Sequence, residues 1–228
     1  MSTEIPPPGH GPGVAGKLQI LATEHWSLLA TRALTYQESL GRVSIFLAVL
    51  SGAVIALALI AQADRFGPMF SAIAIFMLAV VFFVGVATVR RLLMLNHDDY
   101  KWVAGMNRLR HAYLELHPEL EPYFITSQFD DLAGNLKTLG LAPASAPLLG
   151  TVFHGLVTLP GMLGVIVASV GAAIAGLAAA GFGAPTYAVL LIGALAFAVS
   201  LTVIFWSSSR SYRYYGPSVE PRFPTPKD

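Results

Sequence analysis

Four stretches of this chain each run for nineteen to twenty-one residues without one Asp, Glu, Lys, Arg or His: 44–62 (SIFLAVLSGAVIALALIAQ), 69–89 (MFSAIAIFMLAVVFFVGVATV), 161–180 (GMLGVIVASVGAAIAGLAAA) and 186–206 (TYAVLLIGALAFAVSLTVIFW). A helix of about 20 apolar residues covers roughly 30 Å of hydrocarbon. A buried core helix in a soluble domain accounts for one such run, but hardly for four in 228 residues. Charged side chains make up 12% of the chain, against about a quarter in an average soluble domain. The pattern predicts an all-α, polytopic membrane protein with four transmembrane helices in two hairpins, 44–89 and 161–206, and a cytoplasmic helical bundle.

The flanking charges predict an orientation. Lys17, Arg32 and Arg42 precede the first span, and only Arg65 lies between the first two. Arg90, Arg91, Lys101, Arg108, Arg110 and Lys137 fill the central loop; none stands between spans three and four, and Arg210, Arg213, Arg222 and Lys227 follow the last. High and low counts alternate, and Lys and Arg favour the cytoplasmic side. Both termini and the loop 90–146 are expected in the cytoplasm, with the spans in the cell inner (plasma) membrane. Arg90 and Arg91, directly after span two, and Arg210 and Arg213, among the aromatics of WSSSRSYRYY after span four, read as lipid-interface anchors.

The segments outside the spans are shorter. Residues 1–16, rich in Pro and Gly, read as a disordered tail with no signal-peptide pattern. Residues 17–43 read as an amphipathic helix: Ala22, Trp26, Leu29, Ala33, Tyr36 and Leu40 step 4, 3, 4, 3, 4, an a/d seam, widened by Leu18, Leu21 and Leu28. A second seam, Trp102, Met106, Leu109, Tyr113 and Leu116, steps 4, 3, 4, 3. Asp98 or Asp99 is placed to cap the start of that helix, and Pro118 to end it. The seams are expected to pack on each other or on further copies of the chain, with Arg108 on the outer face. Residues 147–160, bounded by prolines, read as an interfacial helix before a bend into span three, with one long kinked span as the alternative. Residues 207–228 form a tail.

Candidate chemistry is sparse. No Asp, Glu, Lys, Arg or His lies within a span, which counts against proton-driven transport. The chain has no cysteine, excluding disulfides and thiol chemistry. His97, Asp98, Asp99, His111, Glu115 and His117 match no metal-ligand spacing, and Asp130, Asp131, Gly134 and Asn135 match no calcium loop; a turn and a short amphipathic helix suit that stretch better. No phosphate-binding, hydrolase or DNA-reading motif is present. An enzyme, a cofactor, a metal site and a nucleic-acid partner are not expected; the expected partners are the lipid bilayer, further copies of the chain and a cytoplasmic protein.

What the spans offer instead is packing. Gly164, Ala168, Ala172, Gly176 and Ala180 form a ladder of small residues four apart, which lets helix backbones approach closely within one subunit or between subunits. Leu177 lies off that ladder and is expected to meet lipid. Ser51, Gln62, Thr88, Ser169, Ser200 and Thr202 are candidate pore-lining groups, with helix–helix hydrogen bonding as their plainer role.

The phrases LQILATEHWSLLATRALTYQESLGRVSIFLAVLSGAV and WVAGMNRLRHAYLELHPELEPYF resemble a family of uncharacterised bacterial four-span membrane proteins of actinobacterial type. The order helix, hairpin, helix over 17–116 is similar in layout to the two-span SLATT domains, a resemblance that implies a pore-forming role but transfers no functional residue. Two functions are expected on this reading: an oligomeric channel or pore assembled or gated through cytoplasmic helices, or a non-conducting scaffold or accessory subunit that docks a cytoplasmic partner.

Overall fold

A computed structural model describes residues 13–140, 155–214 and 220–226, with side chains described except at 68 and 207–214. Every regular element among them is helical: α1 (Val14–Asp64), α2 (Pro68–Leu116), a 3-10 turn (Pro118–Tyr123), α3 (Leu132–Thr138), α4 (Leu159–Gly181) and α5 (Thr186–Tyr214). Four helices, α1, α2, α4 and α5, are long and apolar enough to cross a membrane. The chain divides into two units. One comprises residues 1–35, 98–145 and 217–228, the other 36–97 and 146–216.

Helices α1 and α2 have 51 and 49 residues, more than twice the roughly 20 that a bilayer crossing takes. Each is continuous because nothing in it breaks the backbone ladder. The expected helix start at Asp98 or Asp99 does not exist: α2 runs through both. No Pro or Gly lies between Gly85 and Gly105, and the two carboxylates are bound instead to Lys101 and Arg32. Pro118 does stop α2, lacking the N–H that would continue it. The turn between α1 and α2 is tight. Arg65 and Phe66 take φ of 48° and 62°, a left-handed conformation that L residues rarely adopt. The Asp64 carboxylate accepts the Phe70 N–H at 2.7 Å and so caps α2. A side chain at Gly67 would come within 2.8 Å of that carboxylate.

Residues 147–154 of the expected interfacial helix lie outside the described residues. A helical turn at 155–157 precedes Thr158, whose hydroxyl accepts the Gly161 N–H at 3.3 Å. Thr158 thus caps α4, with Pro160 in the first turn, where a missing N–H costs nothing.

The second unit is held by apolar contact. Phe46 and Ala53 of α1, Leu78, Val81, Val89, Leu92 and Leu95 of α2, and Leu163, Val167 and Val170 of α4 form its buried cluster. α5 is bound along the small-residue ladder of α4. A Cβ on Gly164 would lie 3.3 Å from Ile204, one on Gly176 3.6 Å from Val189, and one on Gly193 3.5 Å from the Ala172 carbonyl; Ala168 is fully buried. Leu177, expected to meet lipid, is half-buried and packs against the cluster, because the face of α4 next to the ladder is turned toward the neighbouring helices. The outer face of α5 carries exposed Leu190, Leu195, Val199 and Val203, a surface suited to hydrocarbon.

Gly85 of α2 sits where α1 and α4 press closest. A Cβ there would lie 2.5 Å from Val167 Cγ2 and 2.9 Å from Phe46 Cε2, and both residues are fully buried. We expect Gly85→Ala to cost about 1–3 kcal/mol through overpacking. Gly52→Ala, with no atom within 4 Å, should cost nothing. Thermal unfolding of the two detergent-solubilised variants measures the contrast; equal melting temperatures would contradict the three-helix crossing.

Candidate functional site

The polar groups gather in the first unit. There α1 turns toward α2 the face that carries Leu18, Leu21, His25, Leu28 and Arg32, all half-buried. A Cβ on Gly105 would touch Leu28 at 3.0 Å, and the His25 ring stacks on Tyr113 at 5.9 Å. Arg32 clamps Asp99 with two hydrogen bonds, 2.6 Å from Nε and 3.2 Å from Nη2. Burial, and then the nearby Arg110 guanidinium, push the His25 pKa below its ordinary 6.5.

This arrangement separates the two seams. Trp102, Leu109 and Tyr113 of α2 are half-buried and Met106 is buried. On α1, Trp26 is 71% exposed and Leu29 44%, and Ala22 and Ala33 are also exposed. Tyr36 and Leu40, in the second unit, are exposed too. The heptad face of α1 is therefore left outward on the single chain, and the flanking leucines make the internal contact.

Beyond α2, the chain folds back on a fully buried asparagine. Asn107 donates from Nδ2 to the Phe129 carbonyl at 2.8 Å and to Asn135 Oδ1 at 3.0 Å. Its Oδ1 accepts from Arg110 Nη1 at 2.7 Å and Thr138 Oγ1 at 2.9 Å. All four of its hydrogen-bonding positions are used, as burial of an amide requires. Asp131 caps α3 by accepting the Gly134 N–H at 2.9 Å. The stretch 130–135 is thus the turn and short helix that its composition suggests.

The C-terminal residues 220–226 lie in the hollow this creates. The Asp130 side chain, with no solvent exposure, accepts Arg108 Nε at 2.5 Å, the Arg222 N–H at 3.0 Å and the Phe223 N–H at 2.8 Å. The Asp130 N–H donates to the Phe223 carbonyl at 3.1 Å. Asp131 accepts both the Thr225 N–H at 3.1 Å and its hydroxyl at 2.8 Å. Arg108 also donates to the Glu220 carbonyl, and the Phe223 ring stacks on His111 at 4.0 Å. Burial works to raise the Asp130 pKa, but the donors Arg222 N–H, Arg108 and Phe223 N–H outweigh it and hold the carboxyl below its ordinary value. Asp131 is shifted down in the same way, with Gly134 and Thr225 opposing burial. Sequence reasoning put Arg108 on an outer face at little cost; it is instead the cation of a buried carboxylate. No periodicity marks this cluster, since its partners are up to 112 residues apart in the chain.

Of the expected interfacial arginines, Arg90 is exposed and Arg91 grips Glu38 of α1 at 2.9 and 3.1 Å. The hydrogen bonds from Arg91, and next Arg42, bring the Glu38 pKa down to about 2. The side chains of Arg210 and Arg213 lie outside the described residues. Among the candidate pore-lining groups, Thr88, Ser169 and Thr202 donate to carbonyls of their own helices, at 2.8, 3.0 and 2.7 Å.

Among the described residues, no group of three or more His, Asp or Glu could hold a metal ion. What this arrangement can do chemically is hold an extended peptide by its amide hydrogens. No family model, curated protein or solved structure matches the chain.

Two outcomes follow from these contacts. Arg108→Ala leaves a buried carboxylate without its cation and should cost about 2–4 kcal/mol, whereas Lys101→Ala breaks only a surface pair with Asp98 worth under about 1 kcal/mol; thermal unfolding followed by tryptophan fluorescence compares them. The folded-state pKa values of His25, Glu38, Asp130 and Asp131 are all depressed, so each contributes stability that is present above its ordinary pKa and lost as pH falls. Unfolding should become easier first as pH drops below 6.5, through His25, then below 4.5, through Glu38, and again below 3.8, through the two aspartates. His25→Gln should abolish the first step alone.

Proposed function

We propose that this chain is a subunit of an oligomeric integral membrane protein of the channel or pore-forming kind, assembled or gated through its cytoplasmic helices. The observation that carries this reading is the outward heptad face of α1. Trp26 is 71% exposed at the centre of a regular 4, 3, 4 run with Ala22, Leu29 and Ala33. That spacing suits a facing helix, and a large exposed aromatic in such a seam is costly in water. The four spans carry no Asp, Glu, Lys, Arg or His, so conduction would run through a pore lined by several copies and gated by dewetting. On this reading the spans lie in the cell inner (plasma) membrane with both termini in the cytoplasm, from the alternating Lys and Arg counts. Catalysis has no part in it.

The second reading is a non-conducting scaffold or accessory subunit that docks a cytoplasmic partner. It is favoured by the carboxylate cradle around residues 220–226, a surface that grips a peptide segment rather than a solute.

Native mass measurement of the detergent-solubilised protein should give a defined oligomer. Leu29→Asp should dissociate it while leaving the helix content unchanged, and liposome flux should fall with it. A monomeric wild type would overturn the assembly reading; a stable oligomer without flux would leave the scaffold. A reporter active only outside the cytoplasm should be silent after Asp228 and active at Gly67.

A further inference from the structure

The contacts to residues 220–226 differ in kind from the rest of the first unit. α1, α2 and α3 meet through side chains, by apolar packing and by the Arg32–Asp99, Asn107–Asn135 and Thr138–Asn107 hydrogen bonds. Residues 220–226 are held by hydrogen bonds to their backbone: the N–H groups of Arg222, Phe223 and Thr225 go to two carboxylates, and the carbonyls of Glu220 and Phe223 accept from Arg108 and the Asp130 N–H. Among the described residues, Phe223, on His111, and the Thr225 hydroxyl, on Asp131, add side-chain recognition. This is how receptors for extended peptides work: main-chain hydrogen bonds supply affinity and alternate side chains supply specificity. Pro221, Pro224 and Pro226 restrict the segment to extended conformations, which lowers the entropy lost on docking.

The cradle is also built to stay filled. Without the segment, the buried Asp130 carboxylate would keep Arg108 but lose both amide donors, and a buried charge left short of partners is unfavourable. On the other side of His111, an open hollow of about 260 Å³ is lined by His111, Leu114, Glu115, Pro118, Glu121 and Gln128, and the buried His111 Nδ1 has no hydrogen-bond partner.

We propose that Asp130, Asp131, Arg108 and His111 form a peptide-recognition site for an extended Arg-Phe-Pro-Thr segment, in which residues 220–226 sit as a detachable latch exchangeable with the same segment of a second copy. The site holds in trans what it holds in cis, because the chemistry of the two segments is identical. Its operation does not depend on conduction, and the probe below reads binding whatever the size of the assembly.

The probe is a fluorescent peptide of residues 217–228, standing for the tail of a second copy, added to the full-length protein in detergent. A chain carrying Phe223→Ala loses its own stacking contact and should release its latch, so the peptide should bind it saturably. Binding to the wild-type chain should be at least ten-fold weaker, since its own segment competes. Peptides with Phe223→Ala or Thr225→Ala should each lose ten-fold or more on the Phe223→Ala chain, a comparison that leaves the protein untouched and so is immune to misfolding. Asp130→Asn on that chain should abolish binding. The proposal is overturned if no saturable binding occurs, if the altered peptides bind as well as the native one, or if the wild-type chain binds as tightly as the Phe223→Ala chain.

Discussion

A helix is the only conformation in which a single apolar stretch of twenty residues satisfies its own backbone away from water, and that constraint organises the chain. Four stretches obey it, and everything else is placed by how those helices continue or stop. α1 and α2 each extend well past one crossing and contribute residues to both units. α4 starts at the Thr158 cap and binds α5 through small residues that let backbones come close. In hydrocarbon, apolar area alone gives helices no reason to associate, so close packing at Gly85, Gly164 and Gly193 carries the specificity.

The first unit works on the opposite principle. Its interior holds Asn107, Asn135 and the Asp130 side chain, each fully buried and each hydrogen-bonded. A buried polar network stabilises only when complete, and an incomplete one is worse than an apolar core. Completion here requires residues 220–226. That dependence turns a terminal segment into a ligand and makes the cradle responsive to whatever competes for its donors. The depressed pKa values of His25, Asp130 and Asp131 add a common sign: acid loosens the unit.

The outward seam of α1 and the filled cradle suggest two separate ways for this chain to meet other molecules. The seam is apolar, regular and open on the single chain, which suits a helix. The cradle is charged, irregular and occupied, which suits an extended peptide. On the two proposed readings a pore-forming assembly would use the first and a scaffold the second; Trp26 and Leu29 are not among the groups that hold residues 220–226, so the two are separable by mutation.

Helical class, the number and limits of the apolar stretches, the stop at Pro118 and the short helix after Asp131 were determined by the sequence alone, because each is a local property: charge-free length, the missing N–H of proline, a carboxylate three residues from a free amide. The seams were legible as periodicity, but periodicity does not say which apolar stripe of α1 turns inward; packing against Gly105 and Tyr113 chose Leu28 and His25 and left Trp26 outside. Asp99 was legible as a possible helix cap, but its partner is Arg32, 67 residues away, and Leu177 is half-buried against the cluster rather than turned to lipid. The role of Arg108, Asp130 and residues 220–226 belonged wholly to tertiary structure. A carboxylate's worth depends on which donors reach it, and those of Asp130 come from Arg108, 22 residues before it, and from Arg222 and Phe223, 92 and 93 residues after it, separations across which no local pattern carries information.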